Sequence, residues 1–542
     1  MWSKPNGSAS TRTWSRSTSI IRTVTSSGTR SAHRLDSQPR GASEWLPHRN
    51  VCFSLVVTAD DGGCTVENLI ICRKGTCPLG AQNLLHTKDF PVARELHLAG
   101  FLIASHVTHS HASWRHPGSE TDYLGPDYYR RVAQTLERGK FDFLFFADAL
   151  TTPVRYGNDI RVPLSSGTQF SAAIDPMLVA ASLVNVTEKL GVAITKSTTY
   201  FHPYDVARVF ATLDHLSRGR SGWNIVTSVS QAEAQNFGLD NHIDRDQRYE
   251  RAHEFVEVAL KLWGSWDRDA LVQDKETGVF ADPDKVHTID HEGKYFRSRG
   301  PLTVPRSPQN RPVLIQAGAS SVGKDFAARW AEAIFEIDPT PEGRRAYYDD
   351  VKSRASNFGR NPDDVKIFPS FVPFIGETES IAREKQAFHN ELADPISGLI
   401  TLSVHTDHDF SQYDLDAPIG EVSVPGSQGL FDLAQRLSDK DSLTLRDIGK
   451  LYAQGVLLPQ FVGTPSQIAD QIEEGFNGGE ADGYIVSAAQ APGTFNDFVD
   501  LVVPELQRRG LFRTDYTGST LRDHLGLGDA SLTPVPRQVT IA

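Results

Sequence analysis

The sequence predicts an α/β protein folded as a (β/α)8 barrel, and three observations predict it. Short apolar segments alternate with longer helix-like segments about eight times from Leu96 onward. The apolar segments, such as "FDFLFFADA", are continuous rather than alternating, which marks parallel strands covered by helices. Eight such units favour a closed barrel over an open doubly wound sheet.

The elements follow in order. "LHLAGFLIAS" is strand-like, "PDYYRRVAQTLERGK" helix-like, and "FDFLFFADA" an apolar strand. "DPMLVAASLVNVTEKLG" opens with Asp175-Pro176, a cap followed by a first-turn proline. "VAITKSTT" is a strand, "YDVARVFATLDHLS" a helix and "GWNIVTS" a strand. In "RDQRYERAHEFVEVALKLWGSW", Tyr249, Ala252, Val256, Ala259, Leu260 and Trp263 share one helix face. "RPVLIQAGA" is the next strand, with a helix from Ser320, and "AEAIFEI" and "VKIFPSFVPFIG" each lead towards a helix. "VGTPSQIADQIEEGF" carries Thr464 as cap, Pro465 in the first turn and Gln467 closing a capping box. "GYIVSA" and "FNDFVDLVVPELQRRG" complete the series. Residues 91–515 are therefore expected to form the barrel and 516–542 a C-terminal tail. Two interruptions rich in Gly, Pro and Asp, 267–308 and 394–450, are expected as insertions in strand-to-helix loops, where barrels keep their chemistry.

The first 90 residues read as an extension. Residues 1–50 are rich in Ser, Thr and Arg, with Asp36 and Glu44 the only acids, a composition that buries no core and predicts disorder. It is also basic and acid-poor like a mitochondrial transit peptide, so import stands beside a cytoplasmic location as an alternative. Further on, "VCFSLVVTA" and "NLIICRK" have the composition of strands. All four cysteines, Cys52, Cys64, Cys72 and Cys77, fall in this region without a Cys-x-x-Cys pair, a poor match to a zinc site. A net charge of -12 argues against nucleic-acid binding. No run of about 18 apolar residues predicts a membrane span.

Several stretches carry chemistry. "QAGASSVGKD" sits at a strand-to-helix junction, and Gly318, Gly323 and Lys324 have Walker A spacing. Asp325 stands where that loop needs Ser or Thr, so a nucleotide triphosphatase is not expected. The physical content remains: small residues, the hydroxyls of Ser320 and Ser321 and a helix N-terminus suit a phosphate. "HVTHSHASWRHP" places His106, His109, His111 and His116 after the first strand. A metal-dependent hydrolase would use such a pair, but later strands supply no further ligands, so no metal is expected. Histidines lining a substrate cavity fit better, with His106 closest to the strand end. "FFADAL" puts Asp148 at the rim of an apolar strand, and "ITKSTTYFHPY" puts Thr195, Ser197, Thr198 and Thr199 at the end of another.

Taken in order, "LHLAGFL…H…WRHP", "FDFLFFADAL", "STTYFHPY", "SGRSGWNIVTS", "RDQRYERAHEFVEVALKLW", "LIQAGASSVGKDFAARWAE" and "HTDHDFSQYDLD" give the chain a family likeness. It resembles the flavin-dependent monooxygenases related to nitrilotriacetate and dibenzothiophene-sulfone monooxygenases, in the bacterial luciferase superfamily, over about residues 94–515. The resemblance implies a luciferase-like barrel binding reduced FMN (FMNH2), supplied by a separate NAD(P)H-dependent flavin reductase. With O2 the reduced flavin gives a hydroperoxide that oxygenates a small organic substrate. A homo-oligomer is expected.

Position by position, the resemblance places Asp148 beside the isoalloxazine, Thr195 in the strand lining the flavin face and Ser228 in contact with the flavin. It makes Tyr249 a phosphate ligand with Arg248 beside it, and Ser320 and Ser321 the phosphate-binding turn. His106 and His405 face the substrate cavity as the catalytic candidates. One departure is visible: Arg245 stands four residues before Tyr249, where the family has His. Arginine pairs with phosphate and cannot act as a titrating base. Relatives act on aminopolycarboxylates, sulfones, sulfides and alkanes, so the resemblance does not choose a substrate. A metal-dependent hydrolase, a flavin-binding protein without turnover and a deazaflavin dehydrogenase remain the alternatives.

Overall fold

The computed structural model describes residues 51–60, 63–73, 94–424, 433–434 and 443–532, with the backbone alone for 51–73. The chain divides into two units, 1–93 and 94–542. In the first, Val51–Asp60 pairs antiparallel with Gly63–Arg73, so the two strand-like stretches of the extension are strands. The expectations of disorder and of a transit peptide for residues 1–50 lie outside the described residues.

The second unit is the barrel. Its strands are β1 His97–Ile103, β2 Phe143–Ala147, β3 Gly191–Ser197, β4 Ser221–Val226, β5 Val313–Gln316, β6 Ala333–Glu336, β7 Lys366–Ile375 and β8 Gly483–Ser487. Every neighbour pair is parallel and consecutive: β1 to β2, onward to β8, and β8 back to β1. Seven helices follow their strands, α1 Pro126–Arg138, α2 Pro176–Leu183, α3 Pro203–Leu216, α4 Arg245–Trp263, α5 Ser321–Trp330, α6 Pro341–Asn357 and α7 Pro465–Asn477. The last, α8, spans 493–508 and includes a wider turn at Phe498–Val502. The expected caps are present: Asp175 accepts from the Met177 N–H, and Thr464 and Gln467 form a capping box.

Continuous apolar strands are explained by burial on both faces. Phe143 and Phe145 of β2 point into the barrel with Phe101, Phe335 and Phe368, whereas Leu144 and Phe146 point out against the helices. The strand starts are tied by buried charge. Asp142 is fully buried, accepts from the Leu98 N–H at 2.9 Å and pairs with Arg513 at 2.8 Å. Glu332 is held by Arg311 at 2.6 and 2.9 Å and by Arg522. Burial raises its pKa, but the two guanidiniums outweigh that and hold it at about 2.

Two expectations change. Residues 267–308 do not belong to a strand-to-helix loop. They connect α4 to β5 and so lie on the return path to the start of a strand. There Glu254 of α4 accepts the Phe296 N–H at 2.8 Å, and the Trp266 ring N–H donates to the Leu302 carbonyl at 2.7 Å. The interruption 394–450 lies between β7 and α7 in chain order. Its helices Pro395–Thr406 and Leu445–Gly455 cross so closely that a Cβ on Gly398 would fall 1.7 Å from the Gly449 carbonyl oxygen. The described part of the expected tail, 516–532, also does more than trail: Leu521, Leu525 and Leu527 join the barrel's interior cluster.

Candidate active site

Residues at the C-terminal ends of the strands gather into three neighbouring groups. The first is a cradle where β5 meets α5. Ser320 caps α5, accepting the Gly323 N–H at 3.2 Å. Gln316 at the end of β5 accepts the Gly318 N–H at 2.6 Å, and the Tyr347 hydroxyl donates to the Gly318 carbonyl at 2.7 Å, so the turn is fixed from both sides. The Tyr249 hydroxyl, on the second turn of α4, lies beside Ser320, both close to Gly323. A Cβ on Gly318 would fall 2.8 Å from the Gly323 carbonyl carbon, and one on Gly323 would fall 3.0 Å from the Tyr249 hydroxyl. The turn therefore has no room for a Cβ at 318 and only a tight fit for one at 323, and the result is two hydroxyls beside a helix N-terminus, an arrangement suited to phosphate.

Arg248 stands beside Tyr249. Its Nη1 donates to the Ile243 carbonyl at 2.6 Å, while its buried Nε has no partner among the described residues. Arg245 and Ser321 lie at the rim instead. The Arg245 side chain is 44% exposed and reaches Asp246 at 3.4 Å, and exposed Ser321 meets Arg354 at 3.5 Å. Lys324, the Walker-like lysine, is taken by Asp350 at 3.0 Å.

The second group comes from β2, β3 and β4. Asp148 lies one residue beyond β2. Burial raises its carboxyl pKa to about 7, Asp175 adds to the rise, and Lys196 opposes it. Ser228, beyond β4, holds φ at 53°, a left-handed conformation rare for serine. Its hydroxyl donates to Ser197 Oγ at 3.0 Å and faces Glu233 at 3.5 Å. Such a conformation costs on the order of 1 kcal/mol and persists only where the surroundings fix it. Thr195 is placed deeper. Its hydroxyl donates to the Phe146 carbonyl at 2.8 Å and accepts from Asn224 Nδ2 at 2.8 Å, so it braces the neighbouring strands. Asn224 thus faces into the barrel, while Trp223 packs outward against Phe210, Phe255 and Trp263.

The third group is a cluster of four histidines. His106 meets Ser105 Oγ at 3.0 Å and lies against Trp114 and Tyr123. His109 meets Ser487 Oγ at 2.7 Å and stacks on Phe101, ring centroids 3.5 Å apart. His111 meets Thr401 Oγ1 at 2.9 Å. His405 comes from the same insertion helix as Thr401 and lies near Tyr452. Burial is the main cause that lowers all four pKa values, with His111 at about 3 and His405 at about 4. His405 also acts on His109 and His111, and His106 on His111, so the rings are mutual neighbours. They are neutral at neutral pH. Among the described residues, no group of three or more His, Cys, Asp or Glu is arranged to hold a metal ion.

The structure thus unites Tyr249, Ser320 and Arg248 in one group, Asp148 and Ser228 in the second, and His106 and His405 in the third. Sequence reasoning missed Glu233, Tyr200 and His242. Glu233 accepts the Leu150 N–H at 3.0 Å and closes a capping box with Ser230, a pattern legible in "SQAE". The Tyr200 hydroxyl meets His242 at 3.3 Å, a pairing without a local signal. His116, read with the other histidines, turns away to Phe388.

Comparison with known proteins identifies the family. Residues 105–482 match the family described as luciferase-like monooxygenase. Dibenzothiophene-sulfone monooxygenase of Rhodococcus erythropolis strain XP is 49% identical over 442 residues, covering 80% of this chain and 97% of its own. Nitrilotriacetate monooxygenase component A of Aminobacter aminovorans is 41% identical over 439 residues, covering 79% of this chain and 96% of its own. A riboflavin lyase, solved with modified FMN and riboflavin, superposes with a TM-score of 0.73 at 35% identity over 82% of this chain and 97% of its own. The chain is a barrel monooxygenase and belongs to the luciferase-like monooxygenase family.

Proposed function

We propose that the protein is the oxygenase of a two-component system, taking FMNH2 from a separate NAD(P)H-dependent reductase and using O2 to oxygenate a small organic substrate. The observation that carries the reading is the cradle of Tyr249, Ser320, Gly318 and Gly323, filled by any added Cβ and continuous in sequence order with the rim of β2 to β4. A phosphate fits that cradle, with the buried Arg248 beside it. Asp148, Ser228 and Glu233 then border the ring system.

When bound, reduced FMN supplies the electrons that activate O2 for transfer of one oxygen atom. The chain's own residues bind, orient and exclude water. Asp148, with a pKa near 7, can hold or release a proton at its carboxyl at working pH. The neutral histidines can donate or accept single hydrogen bonds to substrate. Two relatives support the reading: one is named as component A of a monooxygenase, and one was solved with a modified FMN.

The test supplies purified protein with FMN, NADH and a generic flavin reductase and follows product mass across sulfones, sulfides, alkanes and aminopolycarboxylates. Gain of one oxygen atom by at least one compound is expected. Peroxide as the sole product from all of them contradicts the reading.

A further inference from the structure

A cavity of about 270 Å³ lies among the strand starts, at the opposite end of the barrel from the cradle. Arg311 precedes β5, Glu332 precedes β6, Arg360 precedes β7, and Arg522 comes from the C-terminal segment. Buried Leu260, Leu314, Trp330 and Leu527 supply the apolar part of the wall. Barrels keep their chemistry at the other end, so the reaction gives these arginines no task.

The buried charges do not balance. Arg329, also in the wall, is held by Glu257 at 3.1 Å. The other three guanidiniums share one buried carboxylate, Glu332, which Arg311 and Arg522 already hold. The Arg522 side chain is 7% exposed, gives Glu332 only Nη2, and leaves Nε and Nη1 buried without a partner among the described residues. Arg360 donates from Nη1 to the Ala328 carbonyl at 2.8 Å and has no ion pair among the described residues. Burial lowers the Arg360 pKa to about 10; Glu332 and Asp364 oppose the fall, and Arg311 and Arg522 add to it, so the three guanidiniums are mutual neighbours. Asp364 and Asp529 stand exposed at the rim, where water weakens their pull. Three cations facing one buried carboxylate leave a surplus of two positive charges, which is costly unless an anion joins them.

We propose that this cavity binds a small dianionic oxyanion, phosphate or a short phosphate ester, between Arg360 and Arg522. Two charges on the ligand match the two left over on the wall. Planar guanidinium forks suit phosphate oxygens, which they can engage in pairs. The apolar residues leave a place for a short carbon body beside the anion. A ligand there bridges the connection from α6 to β7 and the C-terminal segment. The proposal is independent of the monooxygenase reading, because no residue of the cradle or of the other two groups takes part.

The test titrates inorganic phosphate, methyl phosphate and acetate separately into the full chain by calorimetry at fixed ionic strength. Both phosphates are expected to bind about tenfold tighter than acetate, the scale of one further charged hydrogen bond. Equal affinity for the two identifies free phosphate as sufficient, and tighter methyl phosphate identifies an ester. Arg360→Gln and Arg522→Lys, each measured separately, are expected to weaken phosphate binding about tenfold. The lysine keeps a cation for Glu332, and near-UV circular dichroism checks that each variant retains the wild-type fold. Ser320→Ala, in the cradle, is expected to leave this affinity unchanged. Acetate binding as tightly as phosphate overturns the proposal, as does the absence of phosphate binding or an unchanged affinity in either folded arginine variant. Affinity lost in Ser320→Ala and kept in the arginine variants places the phosphate at the cradle and overturns it too.

Discussion

Acidification from pH 7 to pH 5 should destabilise this fold through identifiable histidines, and His389 isolates the effect. It is 1% exposed, its Nε2 meets Ser110 Oγ at 2.8 Å, and burial lowers its pKa from 6.5 to about 4. The folded state therefore binds its proton less readily than the unfolded chain. The stability that depends on neutral His389 is fully present above pH 6.5 and is lost as pH falls towards 4. At pH 5 nearly every unfolded His389 is protonated and about one folded copy in ten is, a difference of about 2 kcal/mol. His389→Gln keeps a hydrogen-bonding side chain and removes the titration. Urea unfolding of both proteins at pH 7 and pH 5 checks the point. The variant starts with a constant offset at pH 7, and the wild type should lose about 2 kcal/mol more than the variant between the two pH values. Equal losses in the two proteins would refute the reasoning, because burial would then not be holding the imidazole neutral.

Other residues give further tests. Asp148 works in the opposite sense: its folded pKa near 7 lies above the ordinary 3.8, so stability is lost as pH rises through that interval. Without flavin, Asp148→Asn should gain about 2.6 kcal/mol over wild type between pH 5 and pH 8 in the same unfolding assay. Tyr249→Phe and Ser320→Ala should each weaken FMN binding by about 1 kcal/mol in a fluorescence titration, the scale of one hydrogen bond. Glu332→Gln leaves Arg311 and Arg522 without their shared carboxylate and should cost about 3 kcal/mol in urea unfolding. Removal of residues 1–85 should leave the barrel folded, read as an unchanged near-UV circular dichroism spectrum.

The barrel was legible in the sequence because both faces of its strands are buried, so each strand writes one unbroken apolar run. Helix starts were legible because caps act within four residues, as at Asp175 and Thr464. The cradle was legible through the small residues of "QAGASSVGKD", whose spacing is local. The side of the barrel on which 267–308 lies was not legible, since composition marks a long connection without saying which strand end it serves. The histidine cluster was legible only in half. His109 and His111 stand close together in sequence, but their partners Ser487 and Thr401 are 378 and 290 residues away. Thr195 shows the same limit: its hydroxyl bonds to the Phe146 carbonyl and Asn224, partners that no local pattern announces.

The central claim is that this chain transfers an oxygen atom from O2 with the aid of reduced FMN. The most direct measurement is a reaction under ¹⁸O2 with FMN, NADH, a flavin reductase and dibenzothiophene sulfone, analysed by mass spectrometry. The account predicts a product carrying one ¹⁸O atom, formed only when FMN and reductase are both present. Product oxygen drawn from water, or product formed without FMN, would contradict it.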